Sequence, residues 1–249
     1  MIIRREMVCG ALAIIWDSLP CFGQTRSRDT FGCALSDSEA SAFFAAVTDH
    51  QLANSNRIIA KSGNSEFDYA LAQTLSRMSD TLDVLPSFAY FDDFDGANAY
   101  ASPRKLVLPS DGSVLFGKRL FLKIMSQQEH PDVGITAVCA HEFGHILQFK
   151  YDLRDVFQEG ARVKRKELHA DFLAGYYAGQ RKLLKSDYPA AVFATQQESV
   201  GDPHVDHAQH HGRPDERATA IVRGFEVAYN ERRGLAEAIQ TGINFVMSF

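Results

Sequence analysis

The residues best equipped to do chemistry together fall between 138 and 171. In Val138-Cys139-Ala140-His141-Glu142-Phe143-Gly144-His145-Ile146-Leu147, two histidines stand four positions apart with a glutamate beside the first. Residues i and i+4 lie one above the other on an α-helix, so His141 and His145 can both offer a ring nitrogen to one ion. Neutral imidazoles are good zinc ligands. Glu142 is turned about a quarter-circle from His141, which keeps it out of the metal's coordination but within reach of a water activated there. That is the place for a general base. The pattern fixes few positions, so its surroundings matter. Ile135, Val138, Phe143, Ile146, Leu147 and Phe149 make an apolar run suited to a buried helix, where imidazoles and carboxylates need partners. A metal would satisfy both histidines at once, whereas two surface histidines would leave the apolarity unexplained.

A catalytic zinc takes three protein ligands and keeps one position for water. A metzincin-type continuation would require glycine at 148 and histidine at 151, but the chain has Gln148 and Tyr151. The third donor must therefore come from elsewhere. Glu167, 22 residues beyond His145, is the best candidate. Asp171 lies one turn further on the same face and can accept the N–H of a ligand imidazole, fixing its tautomer and raising its basicity. The competing reading is an exposed acidic face, opposed by the neighbouring Leu168, Phe172 and Leu173. The expectation is one Zn2+ per chain between two facing helices.

The elements that position these groups can be read on either side. Ser36 or Asp37 caps a helix running to about Asn56, and Ser65 opens a second whose Phe67, Ala70, Leu71, Thr74, Leu75 and Met78 share a face. From Leu85 the texture turns to short β-like runs: Ser87 to Phe91, Asn98 to Ala101, Lys105 to Leu108 and Ser113 to Phe116. Turn-formers separate them, which predicts a small antiparallel sheet. Gly117 to Ser126 can form a helix, and Pro131 starts the long one that carries His141 and His145 to about Lys150. A helix from about Val163 to Leu184 carries Glu167 and Asp171, and its Ala170, Ala174, Gly175 and Ala178 permit close approach of another helix. Gly144 either admits a neighbouring backbone or is simply tolerated. Asp187 to Gln197 reads as a short helix, Ser199 to Pro214 as a loop, and Ala218 to Tyr229 as the last substantial helix, opened by a favourably placed Pro214. The fold class is α+β and mainly helical, with no internal repeat or linker, so residues 24–249 are expected to form one domain.

Bulk properties narrow the partners. At 249 residues and 45 % hydrophobic content the chain can bury a core, and a net charge of −5 argues against a nucleic-acid partner. Residues 1–23 read as a signal peptide, a charged start followed by an apolar run that ends at Asp17, too short for a membrane anchor. Export places the protein outside the cell or in the periplasm; retention of that segment would place it in the cytoplasm. Of the four cysteines only Cys33 and Cys139 lie beyond residue 23, too few for a disulfide framework. Cys139 is predicted to turn away from the metal face as a small buried residue. His204, His207, His210 and His211 form either a second metal site or a solvated loop.

His141-Glu142-Phe143-Gly144-His145 together with Glu167-Leu168-His169-Ala170-Asp171 resembles the gluzincin peptidases whose second motif is Glu-x-x-Ala-Asp, including the CAAX-prenyl-protease-like family. Asn98-Ala99-Tyr100-Ala101 and the following Gly112 to Gly117 resemble the strand and hairpin that precede the metal helix there, and the likeness spans roughly residues 95–220. It implies a zincin-like metallopeptidase domain in which His141, His145 and Glu167 bind zinc, Glu142 is the base and Asp171 supports a ligand. It also implies that Asn98, Ala99, Tyr100 and Ala101 hold substrate backbone by strand addition; an ordinary core strand would look the same. His211-Gly212-Arg213-Pro214-Asp215-Glu216-Arg217 resembles the family's late segment, so His211 or Arg217 would steady the oxyanion or the site wall, while helix capping explains the same residues. Spanning helices of the membrane-type members have no counterpart here, so prenylated substrates are not implied.

The expected function is zinc-dependent endopeptidase action on peptide or protein substrates, with Glu142 as general base. The alternative is a zinc-binding scaffold or chaperone-like envelope protein without hydrolytic action. A DNA-associated zinc protease is disfavoured by the acidic charge and the absence of paired Cys-x-x-Cys ligands. Substrate preference and oligomeric state are not legible in the sequence.

Overall fold

The computed structural model describes residues 61–93, 96–127, 129–153, 155–157, 162–199 and 212–249. The expected signal segment, Cys33, the helix from Ser36 to about Asn56 and the histidines from His204 to His211 lie outside them. Seven helices and one small sheet fill the described residues, an α+β architecture dominated by helix.

A helix that is apolar all round has no face for water and must sit in the middle of the molecule. That helix is the one that begins at Pro131. Its residues from Val133 to Gln148 are all buried. Around it, in chain order, the elements are α1 (Ser65–Leu82), β1 (Ser87–Phe91), β2 (Ala99–Ser102), β3 (Ser113–Gly117), α2 (Lys118–Met125), the central α3 (Pro131–Lys150), α4 (Arg162–Leu184), α5 (Ala191–Ser199), α6 (Pro214–Tyr229) and α7 (Leu235–Val246). Asn64 caps α1 through Oδ1, which accepts from the Glu66 and Phe67 N–H groups at 3.1 Å each. The helix buries Leu71, Met78 and Leu82, while Ala70 faces outward.

The strand order is β1-β3-β2, with β3 parallel to β1 and antiparallel to β2. The sheet is therefore mixed, correcting the antiparallel expectation. The cause lies at Asp111, whose carboxylate accepts from Leu85 N–H at 2.8 Å while its own N–H donates to the Leu85 carbonyl at 2.8 Å. These bonds set the start of β3 beside the start of β1, and strands that start together run together. Lys105 to Leu108 is not a strand. Ser113 Oγ accepts from Leu106 N–H at 2.9 Å and Ser87 Oγ accepts from Val107 N–H at 3.1 Å, so serine side chains take the place of a ladder.

Close helix packing fixes the rest. At Gly144 an added Cβ would stand 3.0 Å from Ala170 Cα, so α3 and α4 cross here almost in backbone contact. Gly175 of α4 and Gly224 of α6 likewise face the carbonyls of Ile221 and Phe172, which an added Cβ would overlap. The small residues on α4 thus admit α6, as their spacing predicts. α6 begins at Pro214, the proline expected to open it, and Arg213 N–H donates to Glu216 Oε2 at 2.9 Å to close its first turn. The last helix, α7, adds an element beyond those predicted from the sequence. Gly242 interrupts its apolar stripe, and that glycine is where α7 meets the Phe172 and His169 rings of α4. No helix of the described residues is long and apolar enough to cross a membrane.

Candidate metal centre

The crossing of α3 and α4 at Gly144 and Ala170 brings the two motifs face to face. His141 Nε2 lies 3.2 Å from Glu167 Oε2 and 3.1 Å from His145 Nε2, and His145 Nε2 lies 3.5 Å from Glu167 Oε1. All three residues are at most 1 % exposed, which discards the exposed acidic face. Donors sharing a tetrahedral zinc at 2.0–2.2 Å stand about 3.3–3.6 Å apart. The observed spacings are close to that, so the buried His141, His145, Glu167 group could hold a metal ion.

Proton bookkeeping supports the same fit. His141 Nδ1 is 2.7 Å from Asp171 Oδ1, and His145 Nδ1 is 3.0 Å from Gln148 Oε1. Both acceptors call for hydrogen on Nδ1, which turns the Nε2 lone pair of each ring toward the other ring and toward the Glu167 carboxylate. A proton can bridge one such pair; a cation at the centre meets all three. Burial lowers the pKa of His145, favouring the neutral ring that a metal needs. Burial opposes ionisation of Glu167, but a proton bridging to it from the His145 or His141 ring outweighs burial and holds its carboxyl well below the usual range when no cation is bound.

Asp171 is braced from behind. Arg217, itself buried, donates from Nε to Oδ2 at 2.7 Å and from Nη2 to Oδ1 at 3.0 Å. Burial raises the Asp171 pKa, yet Arg217 and His141 together hold it below its ordinary value, so the carboxylate stays ionised. The guanidinium that the sequence offered as an oxyanion or wall residue thus reaches the ligand's supporting carboxylate. His211 lies outside the described residues.

Glu142 stands beside the cluster, at most 1 % exposed. Burial pushes its pKa up to about 8, with Glu167 adding to the rise while His141, Arg217 and the Ala101 N–H oppose it. Its Oε2 has no hydrogen-bond partner among the described residues.

Of the expected substrate residues, Ala99 and Ala101 are buried in the main core, Ala101 with its N–H toward Glu142. Ala99 N–H is taken by Asn98 Oδ1 at 2.9 Å, Asn98 N–H donates to Asp93 Oδ2 at 3.2 Å, and Tyr100 packs on Phe91 in a separate small cluster. Cys139 is a buried free thiol.

Sequence reasoning missed Gln148 and His169, both fully buried, and the true contact of Arg217. Gln148 follows His145 by three residues, a spacing at which helix side chains meet, so that signal was available. His169 carries no such signal, because its partners lie on other helices.

The chain matches no protein-family model, no curated protein and no solved structure.

Proposed function

We propose that the protein is a zinc-dependent endopeptidase with one ion per chain. The observation that carries this reading is the convergence of His141, His145 and Glu167 donor atoms on one point, with the Glu142 carboxylate beside it. Two imidazoles and a carboxylate form a donor set that suits zinc and leaves a position for water. A bound zinc ion supplies a Lewis acid that acidifies water and polarises a carbonyl. Glu142 takes the proton of the attacking water and delivers it to the leaving amine. Asp171, held by Arg217, keeps the His141 ring turned so that Nε2 faces the ligand cluster. The resemblance to gluzincin peptidases supports the same roles.

Burial of all four residues favours the second reading, a zinc-binding scaffold, since a substrate must reach a catalytic centre. Against it, a structural site has no need of Glu142, and a buried carboxyl oxygen without a partner among the described residues is costly. Glu142→Gln separates the two. Elemental analysis should find about one zinc per chain in both wild type and variant, while cleavage of an unfolded protein substrate disappears in the variant. Cleavage that survives in the variant would remove Glu142 from the mechanism, zinc without cleavage in the wild type would leave the scaffold, and no zinc would sink both.

A further inference from the structure

Two buried side chains that the proposed chemistry does not use form an arm behind His145. Taking the metal-binding reading above as its premise, we propose that Gln148 is the positioning residue that holds His145 in its metal-binding tautomer, and that His169 and helix α7 set Gln148 in turn.

The direction of every bond in the arm is fixed by the next. Gln148 Nε2 donates to the Lys166 carbonyl at 2.8 Å, and a carbonyl only accepts, so the amide cannot be turned around. Its Oε1 therefore faces His145 Nδ1 at 3.0 Å and requires hydrogen there. The second amide hydrogen points at His169 Nδ1, 3.2 Å away, which must carry a lone pair. The remaining hydrogen of His169 then sits on Nε2, which faces the Ile239 carbonyl of α7 at 3.5 Å. Backbone carbonyls of α4 and α7 close both branches, so the arm admits one proton arrangement, and in it His145 Nε2 presents its lone pair to the ligand cluster.

Packing holds the arm as firmly as its hydrogen bonds. The His169 ring lies 5.0 Å from the Phe157 ring and stacks at 3° on Phe172, with centroids 6.5 Å apart. Gly242 of α7 comes so close that an added Cβ would be 3.0 Å from His169 Cδ2. The two imidazoles are thus supported differently: His141 by a carboxylate with a guanidinium behind it, His145 by a neutral amide with a neutral ring behind it. The neutral arm orients its ligand without adding charge to a site that already holds the ionised Glu167 and Asp171.

Two readouts test the arm, and one needs no metal. Long-range 1H–15N spectra of the metal-free wild type should show His145 protonated on Nδ1 and His169 on Nε2. Zinc affinity, measured by competition with a chromogenic chelator, should fall about 10–100-fold in Gln148→Met, the usual cost of losing a ligand's supporting partner, and less in His169→Phe, which keeps the ring stack and leaves Lys166 holding the amide. Gln148→Glu, protonated on the oxygen that meets the Lys166 carbonyl, keeps an acceptor for His145, so it should recover affinity relative to Gln148→Met and move the His169 proton to Nδ1. Phe193→Leu, in the core against Tyr177 and Tyr188, should lower the Tm without changing affinity or tautomers, which separates positioning from general destabilisation. Wild-type His145 protonated on Nε2, or Gln148→Met binding zinc as tightly as the wild type, would overturn the arm alone. A wild type that binds no zinc would overturn the metal premise as well.

Discussion

Removing Arg217 separates stability from metal affinity. Its guanidinium makes two charge-assisted hydrogen bonds to Asp171, at 2.7 and 3.0 Å, and both side chains are at most 2 % exposed. Arg217→Met leaves the Asp171 carboxylate buried with its main counter-charge gone. Breaking a buried pair from one side costs about 3–5 kcal/mol. For a domain of this size each kcal/mol moves the Tm by about 2–4 °C, so a fall of roughly 6–20 °C is expected. Replacing both partners, as in Arg217→Met with Asp171→Leu, removes the stranded charge and should recover most of that loss, because an apolar pair of similar volume often matches a buried ion pair. The double variant nevertheless leaves His141 Nδ1 without its 2.7 Å acceptor, so zinc affinity should stay about 10–100-fold below wild type even as the Tm recovers. Thermal unfolding of the metal-free proteins and chelator competition on the refolded ones read the two quantities separately. A single variant within about 1 kcal/mol of wild type, or a double variant with wild-type affinity, would refute the claim that Arg217 and Asp171 act as one unit behind His141.

Three further outcomes are expected. Glu167→Ala should weaken zinc retention far more than His207→Ala, as read by dialysis and metal analysis; the reverse ranking would move the third donor to the histidine loop. Gly175→Ala gains about 1 kcal/mol in helix propensity, but its methyl would overlap the Ile221 carbonyl, so net destabilisation of about 1–3 kcal/mol is expected in urea unfolding, and a more stable variant would mean that α4 and α6 are not in backbone contact. Burial raises the Glu216 pKa, but Lys164 at 2.7 Å and the Arg213 N–H outweigh it and hold it below its ordinary 4.5. The unfolded chain therefore binds that proton first, so this contribution is present above about pH 4.5 and lost as pH falls through the lower folded value. Glu216→Gln should flatten the acid limb of the stability profile, and an unchanged limb would assign the acid loss to other carboxylates.

Much of this arrangement was legible one element at a time. The Ser65 and Lys118 helices follow from their periodicity, and the Pro131 and Arg162 helices from long runs of apolar and small residues free of internal proline, all of them properties of a single segment. So does the pairing of His141 with His145, and of Glu167 with Asp171, since an i, i+4 spacing fixes which side chains share a helix face before any packing occurs. The direction of β3 was not legible, because it depends on Asp111 reaching Leu85 across 26 residues of chain. Nor was α7, whose Gly242 reads as a break until Phe172 and His169 are placed against it.

The same division runs through the metal centre. By itself the sequence determined that two imidazoles would face one way on a buried helix with a carboxylate beside them. Only the tertiary structure decided that Glu167 meets them, that Arg217 lies behind Asp171, and that Gln148 and His169 stand behind His145. Those contacts join α3, α4, α6 and α7, and their relative placement is set by how closely glycines at 144, 175, 224 and 242 let one helix approach another.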